Sequence, residues 1–124
     1  LVQRLKKTGV PIIYFGTDTA TLLPAMKETG AQVMGVDWRF PMDQAWSSLK
    51  FQGAVQGNLD PVLLFAGQKE LRAQTETIMR QAAGRPGHIF NLGHGILPET
   101  PVENVCALVN FVRELSTEIS AAAR

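Results

Sequence analysis

Short apolar runs alternate with longer amphipathic stretches along the whole sequence. Four of the runs are rich in strand-forming residues, and they cover residues 11–15, 33–36, 54–56 and 88–92. Apolar residues at helical spacing follow each run, with the two longest stretches at residues 68–83 and 101–119. The pattern predicts four strand–helix units in succession. Because each helix must carry the chain back across the sheet, it also predicts that the strands are parallel.

Two of the predicted helices begin with a recognisable start signal. Asp60 and Thr100 are good N-capping residues, and each is followed by a proline, which fits the first helical position. Apolar spacing assigns the inward faces of the two long helices, namely Leu71, Thr75, Ile78, Met79 and Ala82, and then Val102, Val105, Cys106, Val109, Val112 and Leu115. These faces are expected to pack against the sheet.

A succession of strand–helix units fits two architectures, a doubly wound open sheet or part of a (β/α)8 barrel. The chain has 124 residues, whereas a complete barrel needs roughly 250. We therefore expect residues 1–124 to form a single segment, which in the second architecture supplies half of a barrel. The chain opens at Leu1 rather than at a methionine, in what is predicted to be the tail of a helix. This opening indicates a segment of a longer protein.

Composition narrows the class of protein only a little. Hydrophobic residues make up 45% of the chain and charged residues 19%, as in ordinary globular domains. A formal charge of +1 gives no reason to expect nucleic acid or an anionic membrane as a partner. No apolar run approaches the ~20 residues that cross a bilayer. The single cysteine, Cys106, cannot form an internal disulfide and suits a cytoplasmic protein.

Polar residues cluster where the predicted strands end. They are Thr17, Asp18, Asp37, Gln56, Asn58, Asp60, Asn91 and His94. Both architectures place binding sites at this carboxyl edge of the sheet. His94 stands out, because the glycines on either side of it suggest close approach by another group. The cluster therefore predicts a ligand site at one rim.

Several of these residues also have a structural interpretation. His94 can hydrogen-bond its own turn, or it can bind a carboxylate or pass a proton near neutral pH. Asp18 and Asp37 can cap the segments that follow them, and Asn58 and Asp60 can form a turn and a cap. A metal site would need ligands from scattered positions, and the nearest set, His94 with Asp37 and Asp60, has no supporting spacing.

Three stretches of the chain carry a resemblance to a known family. Residues 89–101, IFNLGHGILPETP, are followed by Glu103, Asn104 and Val105. Residues 56–61 are QGNLDP, and residues 35–38 are GVDW. These stretches resemble, in order and separation, three signatures of the uroporphyrinogen decarboxylase family, the first of them being its C-terminal signature. The resemblance covers nearly the whole chain.

The resemblance implies the C-terminal half of a (β/α)8 barrel enzyme of haem and chlorophyll synthesis. Such an enzyme removes carbon dioxide from the four acetate side chains of uroporphyrinogen III, which leaves coproporphyrinogen III. It acts as a cytoplasmic homodimer and uses no metal or organic cofactor. By the same resemblance, His94 is the active-site histidine, near a substrate carboxylate. The residues implied to shape the floor of the cleft are Asp37, Asn58, Asn91, Gly93 and Gly95.

Other parts of the family's machinery have no counterpart in this sequence. The arginines that grip carboxylates, the aspartate that faces the pyrrole nitrogens, and a tyrosine and a serine are implied to precede Leu1. Two other functions stay open. One is zinc-dependent methyl transfer with corrinoid proteins, although that related branch has a cysteine at the position of His94. The other is a non-catalytic segment that binds tetrapyrroles.

Overall fold

Strands and helices alternate along the chain in the computed structural model, which describes residues 1–122. The strands are β1 (Ile13–Tyr14), β2 (Val33–Gly35), β3 (Ala54–Leu59) and β4 (His88–Leu92). The α-helices are α1 (Val2–Leu5), α2 (Leu23–Glu28), α3 (Met42–Ser48), α4 (Gln68–Ala82) and α5 (Val102–Ala122). Short 3-10 helices cover Lys6–Thr8, Ala20–Leu22 and Pro61–Phe65. The predicted strand–helix alternation is confirmed, with β1 shorter and β3 longer than expected.

The four strands form one parallel sheet in the order β1-β2-β3-β4. Met34 pairs with Val55, and Val55 pairs with His88, so the strands are in direct register across the sheet. The order follows the chain without reversal, whereas a doubly wound sheet reverses its order at a switch point. The topology therefore fits consecutive units of a barrel. Within residues 1–122 the sheet is open rather than closed.

The core lies between the sheet and helices α2, α3 and α4, and Leu108 of α5 joins it. The five inward residues predicted for α4 are all buried. In α3, Met42, Ala45 and Trp46 are also buried, and the Trp46 indole donates a hydrogen bond to the Gly53 carbonyl at 3.2 Å. Each large apolar side chain removed from water stabilises the fold by about 1.5–3 kcal/mol. The Trp46 bond lies at the amino end of β3, and the candidate site lies at the carboxyl end of the same strand.

The predicted inward face of α5 is wrong in part. Val102, Cys106 and Val109 are exposed, and the buried positions are Leu108 and Leu115. In the described part of the chain, α5 contacts α4 and the Pro61–Phe65 turn. These neighbours cover only one flank of the apolar stripe, so the other flank faces outward.

The two predicted helix caps differ in outcome. Asp60 is confirmed as a cap, because its Oδ1 accepts a hydrogen bond from the Val62 amide at 2.9 Å. Thr100 is not a cap: its Oγ1 is buried without a hydrogen-bond partner among residues 1–122. The Pro101 carbonyl accepts the first bonds of the helix instead, so α5 begins at Val102.

The face of the sheet opposite the helices is open. Ile13, Phe15 and Ile89 are each more than two-fifths exposed, and they alternate along the chain with residues on the helix side of the sheet. Phe15 covers Gly35 on this face, since a Cβ placed on Gly35 would lie 2.8 Å from the Phe15 side chain. Apolar side chains therefore line both faces of the sheet, but only one face is covered by helices.

Candidate active site

Asp37 follows β2 and is the most heavily hydrogen-bonded polar residue at the carboxyl edge. Its side chain is only 3% exposed. Its Oδ1 accepts from the Arg39 amide at 2.9 Å, and its Oδ2 accepts from the Asp18 amide at 3.3 Å. Nη1 of Arg39 donates to both oxygens, at 3.0 and 2.8 Å. Asp37 thus ties the loop after β1 to the loop after β2.

These bonds set the charge of Asp37. Burial raises the pKa of its carboxyl, but the amides of Arg39 and Asp18 and the Arg39 guanidinium lower it by more. The net pKa lies below the ordinary value of 3.8, so the group is a carboxylate at neutral pH. A buried carboxylate that is already bonded to two amides and a cation holds its neighbours in place.

Asp18 does not cap a helix, contrary to its structural interpretation. Its backbone has a left-handed φ of 56°, and helix α2 begins only at Leu23, with no side-chain cap. The amide of Asp18 donates to Asp37 instead. An N-cap residue has an extended backbone, which the left-handed φ of Asp18 does not provide.

Asn58, at the end of β3, is buried and braces the same loop. Its Nδ2 donates to the carbonyls of Asp37 at 3.0 Å and Phe40 at 2.6 Å. Its Oδ1 is buried and has no partner among residues 1–122. The Asn58 amide therefore holds the backbone of the Asp37–Phe40 loop from the neighbouring strand.

Gly93 brings the loop after β4 against the loop after β2. Its amide donates to the Leu59 carbonyl at 2.7 Å. A Cβ on Gly93 would lie only 2.7 Å from Cα of Trp38, so only glycine fits this contact. A Cβ on Gly95 would meet no atom within 4 Å. His94, between the two glycines, is exposed.

The remaining predicted residue, Asn91, is less closely involved. It pairs in register with Asn58, but its side chain is exposed and accepts a hydrogen bond from the Leu92 amide at 2.8 Å. The structure therefore places Asp37, Asn58 and Gly93 around the loop after β2. His94 and Gly95 follow Gly93 in the loop after β4, and Asn91 lies on β4 at the position that pairs with Asn58. That these residues bind substrate stays a prediction.

Two residues of the loop after β2, Trp38 and Arg39, are not among the predicted site residues. The guanidinium carbon of Arg39 lies 4.5 Å from the centre of the Trp38 ring, within the range of a cation–π contact. The Arg39 side chain is 46% exposed, whereas its partner Asp37 is buried. The sequence signal for Arg39 is a cation two residues after Asp37, in a loop that follows a strand.

Two features of other protein classes are not found in the described residues. Residues 1–122 contain no group of three or more His, Cys, Asp or Glu side chains arranged to hold a metal ion. None of the helices in this range combines the length and the apolar character needed to cross a bilayer.

The family model for uroporphyrinogen decarboxylase (URO-D) matches residues 1–115. A uroporphyrinogen decarboxylase of Koribacter versatilis is 64% identical over 120 residues, which cover 96% of this chain and 34% of the relative. A protein of the same name from Solibacter usitatus is 54% identical over 114 residues, covering 92% of this chain and 33% of the relative. The chain therefore belongs to the uroporphyrinogen decarboxylase family, and the predicted resemblance is confirmed.

The chain spans about one third of the length of these relatives. The expectation of a C-terminal half-barrel is not borne out. The covered share of the relatives is a third rather than a half. What is established is an α/β fold with four parallel strands in one sheet.

Proposed function

We propose that this chain is part of a uroporphyrinogen decarboxylase, a carboxy-lyase that converts uroporphyrinogen III into coproporphyrinogen III. The observation that carries the proposal is the 64% identity, over nearly the whole chain, to a protein of that name. The arrangement of the rim supports it. Asp37, Asn58 and Gly93 hold two loops together, and Arg39 and His94 each follow directly after one of the residues in the Trp38–Gly93 contact.

The reaction requires the protein to bind the substrate and to add and remove protons. Protonation of a pyrrole ring makes it an electron sink. The electron pair of the bond between the acetate methylene and its carboxyl carbon then flows into the ring, and carbon dioxide leaves. A proton added to the methylene carbon gives the methyl group, and loss of the ring proton restores the pyrrole. No external oxidant or reductant is required.

His94 is the proposed catalytic residue of this segment. Its side chain is exposed at the rim, next to the contact of Gly93 with Trp38, so a ligand lying over the carboxyl edge can reach it. An imidazole there can hold a substrate carboxylate or transfer a proton to or from the substrate. Asp37, Asn58, Asn91, Gly93 and Gly95 are the proposed floor of the cleft.

The proposed setting is a cytoplasmic homodimer of (β/α)8 barrels that acts without a cofactor. Residues 1–124 would form one segment of the barrel, and the rest of a protein as long as the relatives would close it. The open face of the sheet supports this arrangement, because Ile13, Phe15 and Ile89 would be covered by the interior of a barrel.

The two other functions are less well supported. Zinc-dependent methyl transfer with corrinoid proteins is not favoured by the comparisons, since the relatives named above are uroporphyrinogen decarboxylases. A segment that only binds tetrapyrroles would share the same rim but would release no carbon dioxide.

The test uses a full-length protein, meaning one of the relatives' length that carries this segment. It can be made by removing the matching residues from the K. versatilis relative and inserting this segment in their place. Uroporphyrinogen III is supplied anaerobically, and coproporphyrinogen III and carbon dioxide are measured. We expect both products without added metal. Methyl transfer that depends on zinc, or binding of the tetrapyrrole without release of carbon dioxide, would contradict the proposal.

A further inference from the structure

The hydrogen bonds that hold the Arg39 side chain at the rim come from one nitrogen of its guanidinium group. Among residues 1–122, the partners of its side chain are the two carboxylate oxygens of Asp37, and Nη1 makes both bonds. The remaining guanidinium nitrogens, Nε and Nη2, have no hydrogen-bond partner in that range. The side chain is nearly half exposed and lies over the Trp38 ring.

The residues around Arg39 fix the orientation of its guanidinium group. Asp37 is buried and anchored by the amides of Asp18 and Arg39, so it cannot follow a mobile arginine into solvent. Trp38 supports the flat face of the guanidinium, and its backbone is in turn locked against Gly93. A planar cation held at one nitrogen and on one face leaves the edge formed by its other two nitrogens for a bidentate bond, the geometry that carboxylates prefer.

We propose that Arg39 binds a carboxylate of the tetrapyrrole substrate through the guanidinium nitrogens that Asp37 leaves free. Asp37 lies in the proposed floor of the cleft and acts on Arg39 as a positioning residue. This inference rests on the proposed function, because the ligand it names is the acidic tetrapyrrole. It assigns to Arg39 a role that the sequence motifs did not indicate.

The location makes the assignment specific. Arg39 follows Trp38, His94 follows Gly93, and Trp38 and Gly93 are in backbone contact. A ligand with several carboxylates, lying over this contact, can meet the imidazole and the guanidinium together. Uroporphyrinogen has carboxylates on every pyrrole ring, so two of its side chains can satisfy both groups.

The test compares Arg39→Gln with Arg72→Gln in the full-length protein. Arg72 is a matched control, because it also pairs with a carboxylate, Glu114, and lies over an aromatic ring, Phe111, but on the helices. KM and kcat for uroporphyrinogen III and the Kd of uroporphyrin III are measured, with thermal unfolding as a check of folding. We expect Arg39→Gln to raise KM and Kd about tenfold or more while kcat stays within about threefold. Arg72→Gln should leave all three unchanged.

A second variant keeps the test decisive if Arg39→Gln does not fold. Arg39→Lys keeps the positive charge beside Asp37 but loses the planar edge, so we expect KM and Kd to rise about threefold. Unchanged KM and Kd in folded Arg39 variants, a fall in kcat alone, or an equal rise in Arg72→Gln would each overturn the inference. If the unsubstituted protein forms no coproporphyrinogen, the proposed function fails. The Kd ratios then still decide whether Arg39 binds carboxylates.

Discussion

The loops after β2 and β4 meet at the carboxyl edge of the sheet, but they are held in different ways. The β2 loop is fixed by side chains: Asp37 accepts hydrogen bonds from two amides and a guanidinium, and Asn58 donates to two carbonyls. The β4 loop is placed by backbone contact at Gly93, beyond which His94 is exposed. The difference shows how one rim can hold a charged pair rigidly and still leave an imidazole free to meet a ligand.

Of the positions in these two loops, Gly93 should be the most sensitive to substitution. In Gly93→Ala, the new methyl group would overlap the backbone of Trp38, which cannot move away as a flexible side chain could. We expect the free energy of unfolding of the full-length protein to fall by about 3 kcal/mol or more. Gly95→Ala is the matched variant, since its methyl group meets open space. It should change stability by no more than about 0.5 kcal/mol. Chemical denaturation of both variants checks the difference, and equal losses would contradict the close approach.

The bracing of the β2 loop by Asn58 should give the next largest effect. Asn58→Ala removes two hydrogen bonds and leaves the carbonyls of Asp37 and Phe40 without this donor. We expect a loss of about 2–3 kcal/mol in the free energy of unfolding. Asn91→Ala, at the paired position on β4, removes an exposed side chain and should cost less than about 1 kcal/mol. If both substitutions cost the same, the two loops are not held differently.

Loss of the charge on Asp37 should lower the free energy of unfolding less than loss of the Asn58 hydrogen bonds. Asp37→Asn keeps the shape but loses the ion pair with a half-exposed arginine, so we expect a loss of about 1–2 kcal/mol at neutral pH. Because the folded-state pKa of Asp37 lies below 3.8, its stabilising effect is complete above pH 3.8. It is lost as the pH falls through the folded-state value. Denaturation as a function of pH should therefore show the two proteins converging in acid. A constant difference at all pH values would argue against an ionised Asp37.

Substitution of His88, at the start of β4, should give the smallest effect on stability. This side chain anchors β4 at the end opposite the candidate site. Its Nε2 lies 3.0 Å from the Gly57 carbonyl. Burial lowers the pKa of His88 below 6.5, and the bond to Gly57 opposes this only in part. The folded state therefore prefers neutral His88, so its contribution is complete above pH 6.5 and declines as the pH falls toward the folded-state pKa. His88→Gln should remove this part of the pH dependence, as measured by denaturation between pH 5 and 8. An unchanged profile would contradict the assignment.

Much of the fold could be predicted because its signals are local and periodic. The inward residues of α4 and the Asp60 cap depend on spacing within one element, and both predictions are confirmed. The outward flank of α5 could not be predicted, since an apolar stripe with Cys106 and Val109 indicates burial without showing what covers it. Thr100 has the residue type of a cap, but Pro101 provides the helix start.

The sequence could predict where the candidate site lies, but not the contacts among its residues. Strand-end spacing put Asp37, Asn58 and His94 at one rim, which parallel strands require. The bonds that give them different roles join residues 19 and 21 positions apart, Asp18 with Asp37 and Asp37 with Asn58. Contacts of that range depend on how the loops fold over the sheet, so no local pattern contains them.

The most direct test of the central claim is turnover in the full-length protein after the single substitution His94→Ala. The control is Glu99→Gln, an exposed residue in the same loop. We expect kcat/KM for uroporphyrinogen III to fall by about 100-fold or more in His94→Ala, since acid–base groups contribute on that scale, and to stay unchanged in the control. A folded His94→Ala protein that forms coproporphyrinogen III at the unsubstituted rate would contradict the account.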